Sequence, residues 1–265
     1  MSHESTEVSS PMGLVIAIAI ILFWFISLIE LLILDISQMP LVLIILGVFV
    51  RSFLHTGLFI TTHEAIHGLV SSDRQLNNAI GHFTSFLYAL LLYKVLKRNH
   101  RLHHRYPASS QDPDFHASNN FWLWYLNFMR EYHKGRQAGI LVIGMAIIFG
   151  LLICLQISPT NIFLFWVIPL IVSSLQLFTF GIFLPHRQEE EDYSNKPSWH
   201  YRDRHRAKTI DYSVFWSFIT CFHFGYHWEH HQYPYLPWYK LPLVHQQQKN
   251  FPIFQKKTIT PLSSL

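Results

Sequence analysis

Residues 39–67 read MPLVLIILGVFVRSFLHTGLFITTHEAIH. The part from Met39 to Thr62 is long and apolar enough to cross a hydrocarbon layer of about 30 Å, which takes ~20 helical residues. It runs without a turn signal into His63 and His67, four residues apart and therefore on one helix face about a turn from each other. The stretch reads as a helix anchored in lipid that projects a pair of imidazoles just beyond it. Imidazole is the commonest side-chain metal ligand, because its neutral nitrogen offers a lone pair near physiological pH. A membrane helix ending in a metal-ligand pair sets the fold class: an all-α integral membrane protein with a histidine-rich cap.

Working outward, three more stretches qualify as spans: Pro11 to Leu34, Ala138 to Ile157 and Thr160 to Pro185. A shorter and more amphipathic run, Ile80 to Leu96, reads as an interfacial or re-entrant helix. Two further histidine clusters come after it, HRLHH with His100, His103 and His104, and HWEHH with His227, His230 and His231. At roughly 100° per residue the first, fourth and fifth positions of HxxHH fall within an arc of about 100°, so all three rings are expected to enter a common pocket. Chance aromatic residues at an interface explain one histidine, not eight in three clusters.

Charge orients the chain. Neither short turn, Asp35 to Met39 nor Ser158 and Pro159, contains Lys or Arg. The long segment 68–137 carries Arg74, Lys94, Lys97, Arg98, Arg101, Arg105, Arg130, Lys134 and Arg136, and the segment after Pro185 is also basic. The positive-inside rule then puts both long segments, both termini and all three histidine clusters in the cytoplasm. The basic residues are a topology signal and give no reason to expect nucleic acid.

Only 14% of the residues are charged, about half the share in a soluble domain, so the apolar blocks are spans and not one large core. The first span reads as retained: no basic residue precedes it and no small-residue cleavage pattern comes after it. Residues 1–10 read as a disordered tail and 11–265 as a single domain. Arg187 to Lys208 reads as a solvated excursion, and Tyr212 to Tyr226 as an interfacial stretch returning the third cluster to the others. Cys154 and Cys221 make no disulfide framework or CxxC motif. Glycine-rich nucleotide loops, P-loops and GxSxG elbows are absent from the sequence.

Eight imidazoles exceed the four to six positions of one ion, which implies two metals. Ligand type alone fits zinc, iron, copper or nickel. A site at the bilayer edge favours iron, because a lipid-soluble substrate offers C–H bonds and zinc has no redox states with which to attack them. Haem carriers and metal transporters, the non-enzyme alternative, place single ionisable residues mid-span, whereas these clusters lie at span ends.

HEAIH, HRLHH and HWEHH, in this order around four spans, resemble the three histidine boxes of the membrane fatty acid desaturase and hydroxylase superfamily, which are di-iron oxygenases. Within it, HRLHHRYPASSQDPDFH, FGIFLPHR, RDRHRAKTIDYSVFWSFITCFHFGYHWEHHQYP and LPWYKLP are most similar to the bacterial and cyanobacterial beta-carotene ketolases. The resemblance covers nearly the whole chain from the second span onward. It implies two iron ions, O2 as co-substrate, a carotenoid substrate met in membrane lipid, and oxidation of the allylic C4 of a beta-ionone ring to a ketone. Carotenoid ring hydroxylases and acyl-lipid desaturases share the boxes and are the alternatives within the superfamily. Oxygen activation needs electrons, and the chain has no ferredoxin-like cysteine set and no flavin or nicotinamide motif. An external donor is therefore implied, such as ferredoxin with its reductase.

The resemblance also points to a ninth ligand at the end of the last span, where His186 stands; a histidine capping the helix C-terminus is the alternative. His223, four residues before His227, is a competing ligand or an orienting partner of one. Asp112 and Asp114 either accept the second N–H of a ligand ring or build an Asp-Pro turn, and Asp114 is the candidate catalytic carboxylate. Glu64 and Glu229 are expected to do the same or to face solvent. Within the spans, Glu30 is a candidate partner for Arg51, and His55 a candidate functional residue. His82, His116, His133, His200, His205 and His245 read as isolated structural or surface residues.

Overall fold

A computed structural model describes residues 11–187 and 205–250; the N-terminal tail, His200 and most of the charged excursion lie outside them. Among the described residues four helices are long and apolar enough to span a membrane: α1 (Met12–Ile33), α2 (Leu41–His67), α6 (Arg136–Cys154) and α7 (Pro159–His186). Between α2 and α6 lie α3 (Arg74–Ala89), α4 (Tyr93–Arg105) and α5 (Phe121–Tyr132). After α7 come α8 (Val214–Cys221), α9 (His227–Gln232) and α10 (Leu241–Asn250). Among the described residues there is no strand.

The spans turn apolar side chains outward, as lipid requires and water would penalise. On α1 these are Ile18, Leu22, Phe23, Ile26 and Ile29; on α6 they are Val142, Ile143, Ile147 and Leu151. Inside, Trp24, Leu58, Ile60, Tyr88, Leu177 and Phe222 belong to one core shared by α1, α2, α3, α7 and the end of α8. At one end of the bundle the Asn161 amide donates to the carbonyls of Leu31, Leu32 and Leu34, tying the two short turns together. The histidine boxes lie at the other end.

The second span continues as helix through the whole first box and stops at Gly68, whose left-handed φ of +81° closes the C-terminus. Asp73 then caps α3, accepting from the N–H groups of Gln75 and Leu76 at 2.7 and 2.9 Å. The run 80–96 is not one helix. It is the end of α3 and the start of α4, which meet at 99°. Leu90 takes a left-handed φ of +54° at the break, and Gln137 stitches it by donating to Leu90 O and accepting from Leu92 N, both at 3.0 Å. Gln137 is the one buried residue of α6, so the first turn of that helix holds the bend that aims the second box.

Arg51 does not meet Glu30, which is exposed. The wholly buried guanidinium bonds instead to Trp24 O, Ser27 Oγ and Phe165 O at 2.8, 3.0 and 3.0 Å and stacks over the Trp24 ring. Phe165 sits in a π-helical turn, Phe163–Val167. His55 accepts from Trp24 Nε1 at 3.1 Å and donates to Tyr88 O at 2.8 Å, a packing role between three helices.

Candidate metal centre

Among the described residues nine imidazoles meet at the box end of the bundle, and they sort into two groups. One holds His63, His67, His100, His104 and His230; the other holds His103, His186, His227 and His231. The sequence pattern suggests one pocket per HxxHH, and the geometry corrects this. On a helix the first and fifth positions are about 40° apart, while the fourth lies about 60° to the other side. His100 and His104 accordingly share the first group and His103 goes to the second. In the third box His227 and His231 share the second group and His230 goes to the first. Each HxxHH therefore bridges the two groups.

Within each group the Nε2 atoms converge. His63 and His230 are 3.1 Å apart, His104 and His230 2.9 Å, and His67 and His100 2.7 Å. In the second group His231 lies 3.0 Å from both His103 and His227. Two imidazoles bound at right angles to one ion at ~2.1 Å would stand ~3.0 Å apart, so the spacing fits shared coordination. Among the described residues the buried Nε2 of His186 has no hydrogen-bond partner, as a ligand atom directed at an ion would not.

Neighbouring groups fix which nitrogen faces inward. His186 Nδ1 donates to Arg206 O at 2.8 Å, leaving Nε2 for the centre. His103 Nδ1 donates to both carboxylate oxygens of Asp112 at 3.0 and 3.1 Å, and Asp114 Oδ2 lies 3.8 Å away. Asp112 also accepts from the N–H groups of Ala108 and Asp114, both at 2.9 Å. Burial opposes its charge, but His103 and these donors keep its carboxyl below the usual range. Burial pushes Asp114 up to about 6, with the charge of Asp112 adding to it and His103 and the 2.6 Å bond from Tyr132 opposing. The two aspartates stand behind a histidine, with the Nδ1 side of His103 between them and the centre.

The last span contains a second π-helical turn, Thr179–Phe183, immediately before the final turn that bears His186. The extra residue of such a turn shifts the helical phase and re-aims the side chains beyond it. Gly181 lies there against Phe224: a Cβ would come within 2.4 Å of the phenyl ring, which packs edge-on to both His63 and His227.

His223 does not share the face of the third box, because α9 begins only at His227. The chain reaches it through consecutive left-handed residues, Phe222 and His223, with φ of +47° and +61°. The His223 ring packs among Phe218, Tyr226 and Trp238 and belongs to neither histidine group. Glu64 is buried, accepts from Trp238 N at 3.3 Å and lies 3.4 Å from His63 Nδ1. His205 is buried too and bonds to Gln232 at 2.6 Å, so it is not a surface residue. His82, His116 and His133 stay outside both groups.

His245 is the residue that sequence reasoning missed. It donates from Nδ1 to Glu229, buried within the third box, at 2.8 Å, and from Nε2 to Asp211 at 3.2 Å. Thr209 also donates to Glu229, and Lys249 to Asp211. Glu229 thus faces away from the histidines and anchors the six-residue α9, which has no side-chain cap, to α10. Its hydrogen bond to Glu229, outweighing burial, holds the His245 ring above the ordinary imidazole value. The pair's contribution is therefore full below pH ~6.5 and fades as pH rises through the higher folded value. His245→Ala is expected to cost about 3 kcal/mol by leaving Glu229 buried without its cationic partner, with the Thr209 hydroxyl as its remaining donor. Adding Glu229→Gln should recover part of that loss, since an amide is cheaper to bury than a carboxylate. Thermal unfolding in detergent measures both variants, and equal losses would contradict the pairing.

A family model of fatty acid desaturases matches residues 37–144 and 130–260. The chain belongs to the fatty acid desaturase family. It is 36% identical over 196 residues to a beta-carotene ketolase of Paracoccus sp. (strain PC1), covering 72% of this chain and 74% of the relative. A beta-carotene ketolase of Haematococcus lacustris is 39% identical over 73% of this chain and 59% of its own length. A zeaxanthin 4-ketolase of Chlamydomonas reinhardtii is 38% identical over 75% and 43% respectively. The chain spans about half the length of these algal relatives. No solved structure gives a significant match.

Proposed function

We propose that this chain is a membrane oxygenase that holds two iron ions and uses O2 to convert the C4 methylene of a beta-ionone ring to a ketone, taking beta-carotene to echinenone and canthaxanthin. The observation that carries the reading is the division of nine imidazoles into adjoining groups of five and four at the end of a lipid-facing bundle. The ketolase relatives supply the substrate class. Iron fits an all-imidazole site that must oxidise C–H bonds, which zinc cannot do.

The reaction needs two hydroxylations at one carbon. Each consumes one O2, two electrons and two protons, leaves a hydroxyl on C4 and releases one water. The resulting geminal diol loses a third water to give the ketone. Bound iron would supply the activation of O2. The chain's own residues orient that chemistry: Asp112 holds the His103 ring, Arg206 O holds His186, and Asp114 with Tyr132 braces Asp112 from behind. Asp114 is thus a positioning residue in this reading. The box end, with its Lys and Arg, is cytoplasmic, together with both termini, and ferredoxin with its reductase is the donor.

Expression in cells that accumulate beta-carotene, with pigment chromatography of the extract, should yield echinenone and canthaxanthin. Hydroxylated carotenoids alone would make it a ring hydroxylase, and new acyl double bonds a desaturase. The purified protein should contain iron and no haem Soret band, which separates it from a haem carrier.

A further inference from the structure

The outer face of α4 carries a row of cations that the metal centre does not use. Lys94, Arg98, Arg101 and Arg105 are all exposed and keep the i, i+4, i+7, i+11 spacing. At roughly 100° per residue they lie within an arc of about 60° around the axis. Among the described residues no carboxylate lies within ion-pair distance of any of them. Arg98 bonds to Asn99 Oδ1 and Arg105 stacks over Tyr106, but like charges at three- and four-residue spacing weaken a helix by roughly 0.2–0.5 kcal/mol per pair, so these local contacts do not account for a row of four.

Its position links it to the centre. The same helix turns Tyr93, Leu96, Asn99 and His103 inward and carries His100 and His104 on the flank between. His67, His100 and His104 are half-buried, whereas every histidine of the four-membered group is buried. Only a helix's thickness, ~10–12 Å, separates the cationic face from the more open, five-membered group.

We infer that this face is the docking surface for an acidic, soluble one-electron carrier protein, and that electrons enter at the five-histidine group. The inference rests on the oxygenase reading, in which four electrons are needed per ketone. Each docked reduced carrier gives up one electron and leaves oxidised, so four encounters complete one ketone. A protein partner fits better than anionic lipid. Helices that lie on lipid pair basic residues with exposed apolar ones. Here those apolar side chains belong to other helices, with Trp122, Leu123 and Leu126 on α5 and Phe215 and Trp216 on α8. On α4 the one large exposed apolar side chain is Leu92, at the N-cap.

The test uses the iron-loaded full chain in nanodiscs of neutral phosphatidylcholine, with a plant-type [2Fe–2S] ferredoxin, its reductase and NADPH. Direct binding of the ferredoxin reads the surface alone, and ketone formation reads the oxygenase. For the triple variant Arg98→Gln/Arg101→Gln/Arg105→Gln we expect ferredoxin binding and half-saturation to weaken about tenfold at low salt. Turnover at saturating ferredoxin should be kept, and the salt dependence of binding should flatten. Replacing the same three residues by Lys should restore binding, since charge and not shape is recognised. Equal binding by wild type and the Gln variant would overturn the surface, whatever the product. So would an effect of the Gln variant that appears only when the nanodiscs contain anionic lipid, which would make the face a lipid contact. Weakened binding in the Gln variant with no ketone from wild type would keep the surface and overturn the oxygenase.

Discussion

His231→Ala is expected to abolish ketone formation and to release the metal of the four-membered group. Its Nε2 lies 3.0 Å from those of both His103 and His227, so it stands at the centre of that group. The substitution leaves three imidazoles, and no carboxylate among the described residues joins those four in the group. Changes outside the ligand set commonly cost ~10–100-fold in metal affinity or activity, and loss of a ligand should exceed that. His67→Ala should also end turnover, but its five-membered group keeps four imidazoles and should retain more metal. The contrast is specific to the division seen here. Elemental analysis of the two purified variants beside pigment chromatography measures it, and equal metal loss would contradict unequal groups.

The division is only half legible in the sequence. Length and hydropathy locate the four spans to within a few residues, because crossing lipid demands a long apolar helix whatever its neighbours do. The boxes are visible as ligand types at helical spacing. The arc of HxxHH is too coarse a guide to the pockets, since a difference of about 100° between the fourth and fifth positions is enough to send them to different groups. Contacts made across the chain leave no local trace. Gln137 looks like an ordinary residue at the start of a span, yet it fixes the bend 45 residues earlier that aims the second box. His245 looks isolated until α10 folds back on Glu229. Arg51 and Glu30 invite pairing as opposite charges in neighbouring spans, but the guanidinium bonds to Trp24 O, Ser27 Oγ and Phe165 O, the last in a π-helical turn that hydropathy does not encode.

His186 and His223 give the sharpest test, since both are candidates for the ninth ligand by sequence and only one lies in a histidine group. Neutral amides bind iron weakly, so a ligand imidazole should not tolerate Gln. His186→Gln removes a buried Nε2 directed into the four-membered group and should lose about one iron of two together with activity, a loss of the same kind as His231→Ala. His223→Gln removes an aromatic ring packed against Phe218, Tyr226 and Trp238 at a left-handed turn. Its cost should be about 1 kcal/mol of stability and reduced turnover, with both ions kept. The turn that bears His223 leads directly into α9, so loosening it slackens the approach to the third box without opening the ligand set. Iron stoichiometry per chain distinguishes the two variants. Iron lost from His223→Gln and kept by His186→Gln would reverse the assignment and detach the π-helical turn before His186 from any role in aiming a ligand.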